Sequence, residues 1–120
     1  MRPGLGEAGE RRACAFLRKK GYRILDRNYR APYGEVDIVA ARGPLLVFCE
    51  VKTRSLGGMD EALEAVDEQK QGRIARVAEH YLAFKSPKVN QCRFDVIALL
   101  KSGSEWTIEH VEDAFEIGEL

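Results

Sequence analysis

The chain has 120 residues, which suits one domain that buries roughly two-thirds of the surface its unfolded form exposes, so disulfides are not needed for stability. The three cysteines, Cys14, Cys49 and Cys92, form no CxxC pair, which argues against a zinc site and fits a reduced, intracellular protein. The start, Met1-Arg2-Pro3-Gly4, lacks the apolar region of a signal peptide, and an apolar stretch such as Leu45 to Cys49 is far too short to span a bilayer. The expectation is a cytoplasmic protein without a membrane partner.

The formal net charge is zero but unevenly spread. Residues 1–30 carry nine Lys/Arg against three Asp/Glu, and residues 91–120 carry two against seven. The basic first third is able to face phosphates, because the local field rather than the total decides nucleic-acid binding. An ordinary solvated surface is the plainer reading.

Along the chain, Glu7 to Lys20 reads as an amphipathic helix. Ala13, Phe16, Leu17 and Lys20 fall at i, i+3, i+4 and i+7, and Gly21 is placed to end it in the left-handed conformation. Tyr22 to Tyr29 suggests a strand at or near a sheet edge, and Pro32 with Gly34 marks a turn. Glu35 to Ala40 is a short β-branched strand. Leu45 to Val51 is an apolar run, as expected of a strand buried on both faces. Arg42-Gly43-Pro44 suggests the hairpin between them. Ser55 to Met59, with Gly57 and Gly58, reads as a loop. A helical region then starts near Asp60 and ends at Ser86-Pro87, with Gly72 either breaking it into two helices or merely weakening it. Ile74, Val77, Ala78, Tyr81 and Leu82 mark its buried stripe. Arg93 to Leu100 reads as a buried strand and Trp106 to Val111 as a half-buried one. The acidic tail from Glu112 carries no clear signal. Helix, three strands, helix, two strands implies an α/β domain: a mixed β-sheet flanked by helices.

The unusual residues are charges inside apolar strands. Asp37 interrupts Val36 and Ile38, and Glu50 and Lys52 flank Val51 at the end of the most apolar run. Side chains alternate along a strand, so Glu50 and Lys52 share a face, roughly 6.5–7 Å apart. If Asp37 meets that face across the hairpin, two carboxylates and an ammonium converge. Carboxylates about 4 Å apart repel by roughly 4 kcal/mol at an effective dielectric near 20. A Mg²⁺ or Mn²⁺ ion reverses that sign, and such an ion activates water and stabilises charge on a phosphodiester. Lys52 can orient that water or stabilise the developing charge.

Asp37, twelve intervening residues and Glu50-Val51-Lys52 resemble the PD-(D/E)xK nuclease signature of the restriction-endonuclease-like fold. Most of the chain is similar to the YraN-like family of uncharacterised bacterial proteins, itself similar to archaeal Holliday junction resolvases. The matching pieces are Gly6-x-x-Gly9-Glu10, Gly21-Tyr22, Asn28-Tyr29-Arg30, Gly34-Glu35-Val36-Asp37-Ile38-Val39, Val47 through Arg54, Lys70 and Arg93-Phe94-Asp95-Val96. The proline that precedes the Asp in the fuller signature is absent.

That resemblance implies Asp37 and Glu50 as metal ligands, with the Val51 carbonyl as a third and Glu10 at or near the metal. It implies Lys52 as the catalytic lysine, with Lys70 facing the site from the second helical region. Thr53, Arg54 and Arg30 are candidates for contacting nucleic acid. The implied substrate is DNA, branched DNA such as a Holliday junction above all. Symmetric cleavage of a junction needs two sites and hence a homodimer. The alternatives are a nucleic-acid-binding module of the same fold without turnover, and a scaffold that binds a partner through the acidic C-terminal segment. Each site residue also has a plainer reading: Asp37 and Glu50 as ion-pair members, Lys52 and Lys70 as snorkelling cations and Glu10 as a first-turn helix acid. Glu35 shares a strand face with Asp37 and reads equally as a helper carboxylate or as a merely polar residue. Asp95 reads as structural. Tyr29, Tyr33 and Tyr81 read as packing residues, and His80 and His110 as isolated surface residues.

Overall fold

The computed structural model describes residues 4–55, 57–63 and 66–116. Helix α1 (Leu5–Lys19) leads into three strands, β1 (Arg23–Ala31), β2 (Gly34–Arg42) and β3 (Leu45–Arg54). Two helices follow, α2 (Met59–Leu63) and α3 (Glu68–Lys85), then strands β4 (Gln91–Ser102) and β5 (Glu105–Val111). The strands form one sheet in the order β1-β2-β3-β4-β5. β3 and β4 run parallel, joined through α2 and α3, and every other neighbouring pair is antiparallel. This is the mixed, helix-flanked α/β sheet that the pattern implied, with β1 at one edge.

Each sheet face carries its own core. On one face α3 sets Ile74, Val77, Ala78 and Tyr81 against Val36, Val39, Phe48, Phe94 and Val96. On the other, α1 sets Ala13, Cys14 and Leu17 against Ile38, Ala40, Val47, Cys49, Ile97 and Leu99. β3 and β4 lie at the centre and are buried on both sides, which is why their sequences are continuous apolar runs. Cys49 behaves as a buried small hydrophobe.

α1 ends as its sequence indicates. Gly21 has φ +92, and the Tyr22 N–H donates to the Leu17 carbonyl at 3.0 Å, the long bond of a Schellman-type stop. That turn folds Tyr22 back into the core. Of the two readings of Gly72, the weakening one holds and the break does not. Gly72 lies inside α3, and the interruption falls between Leu63 and Glu68. Asp67 supplies the new start, its carboxylate accepting the Lys70 N–H at 2.9 Å. A glycine on an exposed helix face weakens the helix without stopping it. Among the described residues no helix is long and apolar enough to cross a membrane.

Candidate active site

The site lies where β2 and β3 part. Their ladder runs from Arg42↔Leu45 to Ile38↔Cys49 and stops there. The next residues in register, Asp37 and Glu50, do not pair through their backbones. Instead Asp37 Oδ2 accepts the Val51 N–H at 2.8 Å, satisfying a donor that the fork would otherwise leave bare. On the other side of β2 the same point is irregular: Asn28, between the pairs Arg27↔Ile38 and Tyr29↔Val36, has φ +52. The fork opens into a cleft of about 280 Å³ lined by Tyr33, Gly34, Glu35, Asp37, Glu50, Lys70, Arg73 and Ile74.

Strand alternation sends Glu50 and Lys52 to the α3 face, as read from the sequence. Lys70 meets them there because it lies one turn before Ile74 on the buried stripe of α3. Its Nζ is 2.7 Å from Glu50 Oε1, while Lys52 Nζ is 3.7 Å from the same oxygen. Glu50 is 6% exposed, one of two buried charged residues among the described residues. A buried carboxylate is costly unless paired, and the two ammonium groups answer that cost.

The electrostatics are those of charges crowded out of water. Burial, then the Glu50 charge, pushes the Asp37 carboxyl up to about 7; the Val51 N–H pulls the other way and Glu10 adds to the rise. Burial, then the neighbouring Lys70, holds the Lys52 amine below the usual lysine range. Lys70 feels burial in the same direction, but its hydrogen bond with Glu50 turns the balance upward. Lys70 therefore keeps its charge, and Lys52 is the amine that more easily gives up a proton.

The remaining sequence candidates divide. Val51 joins the site through its N–H, which donates to Asp37 Oδ2. Glu10 approaches from α1, close enough to act on Asp37, but its Oε1 accepts from Asn28 Nδ2 at 2.9 Å and Arg27 Nε at 3.3 Å. Thr53 does not join the others. Alternation turns it to the α1 face, where its Oγ1 is buried without a hydrogen-bond partner among the described residues. It sits against Gly9, where any Cβ would collide with the threonine side chain. Arg54 is exposed at the end of β3. Arg30 pairs with Glu35 at 3.1 Å on the surface, an exposed contact of little energetic weight.

Two features escaped the sequence. Arg73 lines the cleft, one helical turn on from Lys70, and Tyr33 stands at the cleft mouth instead of packing. The Arg73 spacing from Lys70 was the available signal; Tyr33, in a Pro-Gly turn, gave none. Tyr29 and Tyr81 do pack, edge to face with ring centroids 4.9 Å apart. Neither histidine is an isolated surface residue. His80 Nδ1 lies 2.7 Å from the Tyr29 hydroxyl, and the His110 side chain is 2% exposed with Nε2 2.6 Å from Asp95 Oδ2. The alternation of Trp106, Ile108 and His110 along β5 was the signal for the latter.

The raised Asp37 carboxyl gives a direct prediction. Its ordinary value is 3.8 and its value here is about 7, so folding favours the protonated form. The stability from Asp37 is full below about pH 4 and is lost as pH rises through 7. Asp37→Asn keeps an acceptor for the Val51 N–H and removes the charge. Without added metal it should stabilise the domain at pH 8 by up to about 4 kcal/mol, at about 1.4 kcal/mol per pKa unit. The gain should vanish near pH 4. Chemical denaturation across that range checks it; a variant less stable than the parent at pH 8 would refute it.

Among the described residues no group of three or more His, Cys, Asp or Glu side chains is assembled around a common point. The donor set that is present, Asp37 with Glu50, still fits a small hard cation. Magnesium takes one or two protein carboxylates and keeps several waters.

A model of the uncharacterised protein family UPF0102 matches residues 9–99. A UPF0102 protein of Magnetococcus marinus is 44% identical over 114 residues, covering 94% of this chain and 92% of the relative. A UPF0102 protein of Dictyoglomus thermophilum is 45% identical, covering 92% of this chain and 96% of the relative. The structure of Pyrococcus furiosus SfsA in complex with Ca²⁺ aligns with 93% of this chain and 62% of its own at 15% identity and a TM-score of 0.32, too slight a likeness to bear on fold. The matched region holds Glu10, Asp37, Glu50, Lys52 and Lys70, and the chain belongs to the UPF0102 family, as its YraN-like motifs led one to expect.

Proposed function

We propose that this domain is a metal-dependent endonuclease that hydrolyses phosphodiester bonds in DNA. The observation that carries the reading is the meeting of Asp37, Glu50, Lys52 and Lys70 at the fork of β2 and β3, beside an open cleft. A purely structural ion pair does not need a second lysine, nor a second carboxylate that burial forces to hold a proton. Asp37 and Glu50 are the residues that would hold Mg²⁺ or Mn²⁺. When bound, the ion supplies Lewis-acid stabilisation of charge at the scissile phosphate. Lys70 fixes the orientation of Glu50. Lys52 moves or holds the proton of the attacking water. Arg73, on the cleft wall, is placed to receive the phosphate charge.

The test pairs a binding readout with an activity readout. Mn²⁺ titrated against the purified chain should raise its melting temperature, since an ion that binds only the folded state stabilises it. The rise should disappear in Glu50→Gln. A panel of duplex, single-stranded and four-way-junction DNAs should be cut only in the presence of the ion. Binding of DNA without cleavage under Mg²⁺ or Mn²⁺ overturns the enzyme reading in favour of a binding module.

A further inference from the structure

Tyr33 is 52% exposed in the turn between β1 and β2, at the mouth of the cleft. A lone exposed ring is unremarkable on a protein surface. The setting of this one is specific. Arg76 holds its guanidinium 5.6 Å from the ring centroid. Arg73 lines the cleft on the same side. A second, shallow groove of about 310 Å³ on α3 is lined by Gln69, Gly72, Arg73 and Arg76 and shares Arg73 with the cleft. Gly72 leaves the floor of that groove without a side chain, and a Cβ there would meet nothing within 4 Å. Arg30 nearby is tied to Glu35, whereas Arg73 and Arg76 enter no ion pair among the described residues.

An exposed ring beside guanidinium groups without ion pairs among the described residues, flanked by two grooves that share Arg73, is the combination that binds single strands. Bases stack on the aromatic face, and the cations track the backbone. A paired duplex keeps its bases stacked on one another and offers none to a ring unless one is flipped out.

We propose that Tyr33, Arg73 and Arg76 receive an unpaired nucleotide of the strand entering the cleft, the base stacking on the free face of Tyr33 and the flanking phosphates meeting the two arginines. The ligand class is nucleic acid with an unpaired segment beside the cleft. The proposal rests on the endonuclease reading for nucleic acid as the ligand, but not for turnover.

The experiment is fluorescence anisotropy with a labelled single-stranded oligonucleotide and a blunt duplex of equal length, in EDTA so that cleavage plays no part. The single strand should bind more tightly. Tyr33→Ala should weaken single-strand binding roughly tenfold or more while barely changing the duplex, and Tyr33→Trp should restore it. Arg73→Ala should lower the salt dependence of single-strand binding by about one phosphate contact. Thermal melts of each variant show that the exposed turn still folds. Equal losses on both ligands, no loss in Tyr33→Ala, or no binding by the parent chain each overturn the platform. Metal-dependent cleavage that survives Tyr33→Ala unchanged on unpaired substrates also overturns it and leaves the endonuclease standing. The expected binding pattern without metal-dependent cleavage under Mn²⁺ upholds the platform and overturns turnover.

Discussion

Lys52→Ala should lower DNA cleavage by roughly 10²–10⁴-fold, the usual worth of a positioned proton-transfer group, and leave DNA binding in EDTA within a factor of two or so. The reason lies in how the two lysines divide Glu50. Lys70, at 2.7 Å, makes the short contact and keeps its charge; Lys52, at 3.7 Å, is the amine that burial and Lys70 push toward neutrality. Only a group that exchanges its proton readily can serve the attacking water. Arginine keeps the positive charge but stays protonated. Lys52→Arg should therefore fail to rescue cleavage. Full activity in Lys52→Arg would show that the position supplies only charge. Weakened binding in Lys52→Ala would show that it holds the substrate instead.

Asp95→Ala should cost about 3–5 kcal/mol, as removing one partner of a buried ion pair does. That is a large fraction of the roughly 5–15 kcal/mol that holds a domain folded. Asp95 is fully buried on β4, on the face opposite the cleft's lysines. Arg93 grips it with two bonds of 2.8 and 2.9 Å, His110 lies 2.6 Å away, and the Asp113 N–H donates at 3.0 Å. Arg93 also donates to the Tyr22 hydroxyl at 2.6 Å. One carboxylate thus ties β4 to β5, to the segment after α1 and to the stretch after β5. Burial pushes its carboxyl upward, but the His110 and Arg93 hydrogen bonds outweigh it and hold the group below the ordinary range. Its stabilisation is therefore present above about pH 4 and is lost as pH falls below that. This is the reverse of the Asp37 window. Urea denaturation at pH 7 measures the loss, and a change under 1 kcal/mol would refute the assignment.

The strands and the meeting of the site's charged side chains were legible because both follow from alternation and period. Asp37 inside Val36-Asp37-Ile38, and Glu50 and Lys52 on one face, needed only the two-residue repeat of a strand. Lys70 needed only the helical repeat back from Ile74. Where the reading failed, the deciding contact was long-range or the local signal ambiguous. Gly72 left a break and a mere weakening both open, and the N-cap at Asp67, which starts α3 with its bond to Lys70, was not read. His110 is polar and solitary in sequence, and only the fold delivers Asp95, from the neighbouring strand, to its ring. Thr53 continues the Glu50-Val51-Lys52 motif in sequence but, one residue on, faces the other layer. Tyr33 shows the limit from the opposite direction: an aromatic is assigned to packing by default, and only its place beside the fork reveals an exposed one.

The seat of α1 on β3 has a consequence for how this chain can change over time. Gly9 meets Thr53 so closely that a Cβ at the first would occupy the space of the second. Glu10, the next residue, is set in place by that same contact and by Asn28 and Arg27. Positions 9 and 53 are therefore a linked pair in heredity. A larger residue at 9 is tolerated only after 53 has shrunk, and until then it lifts the helix and takes the Glu10 carboxylate away from Asp37.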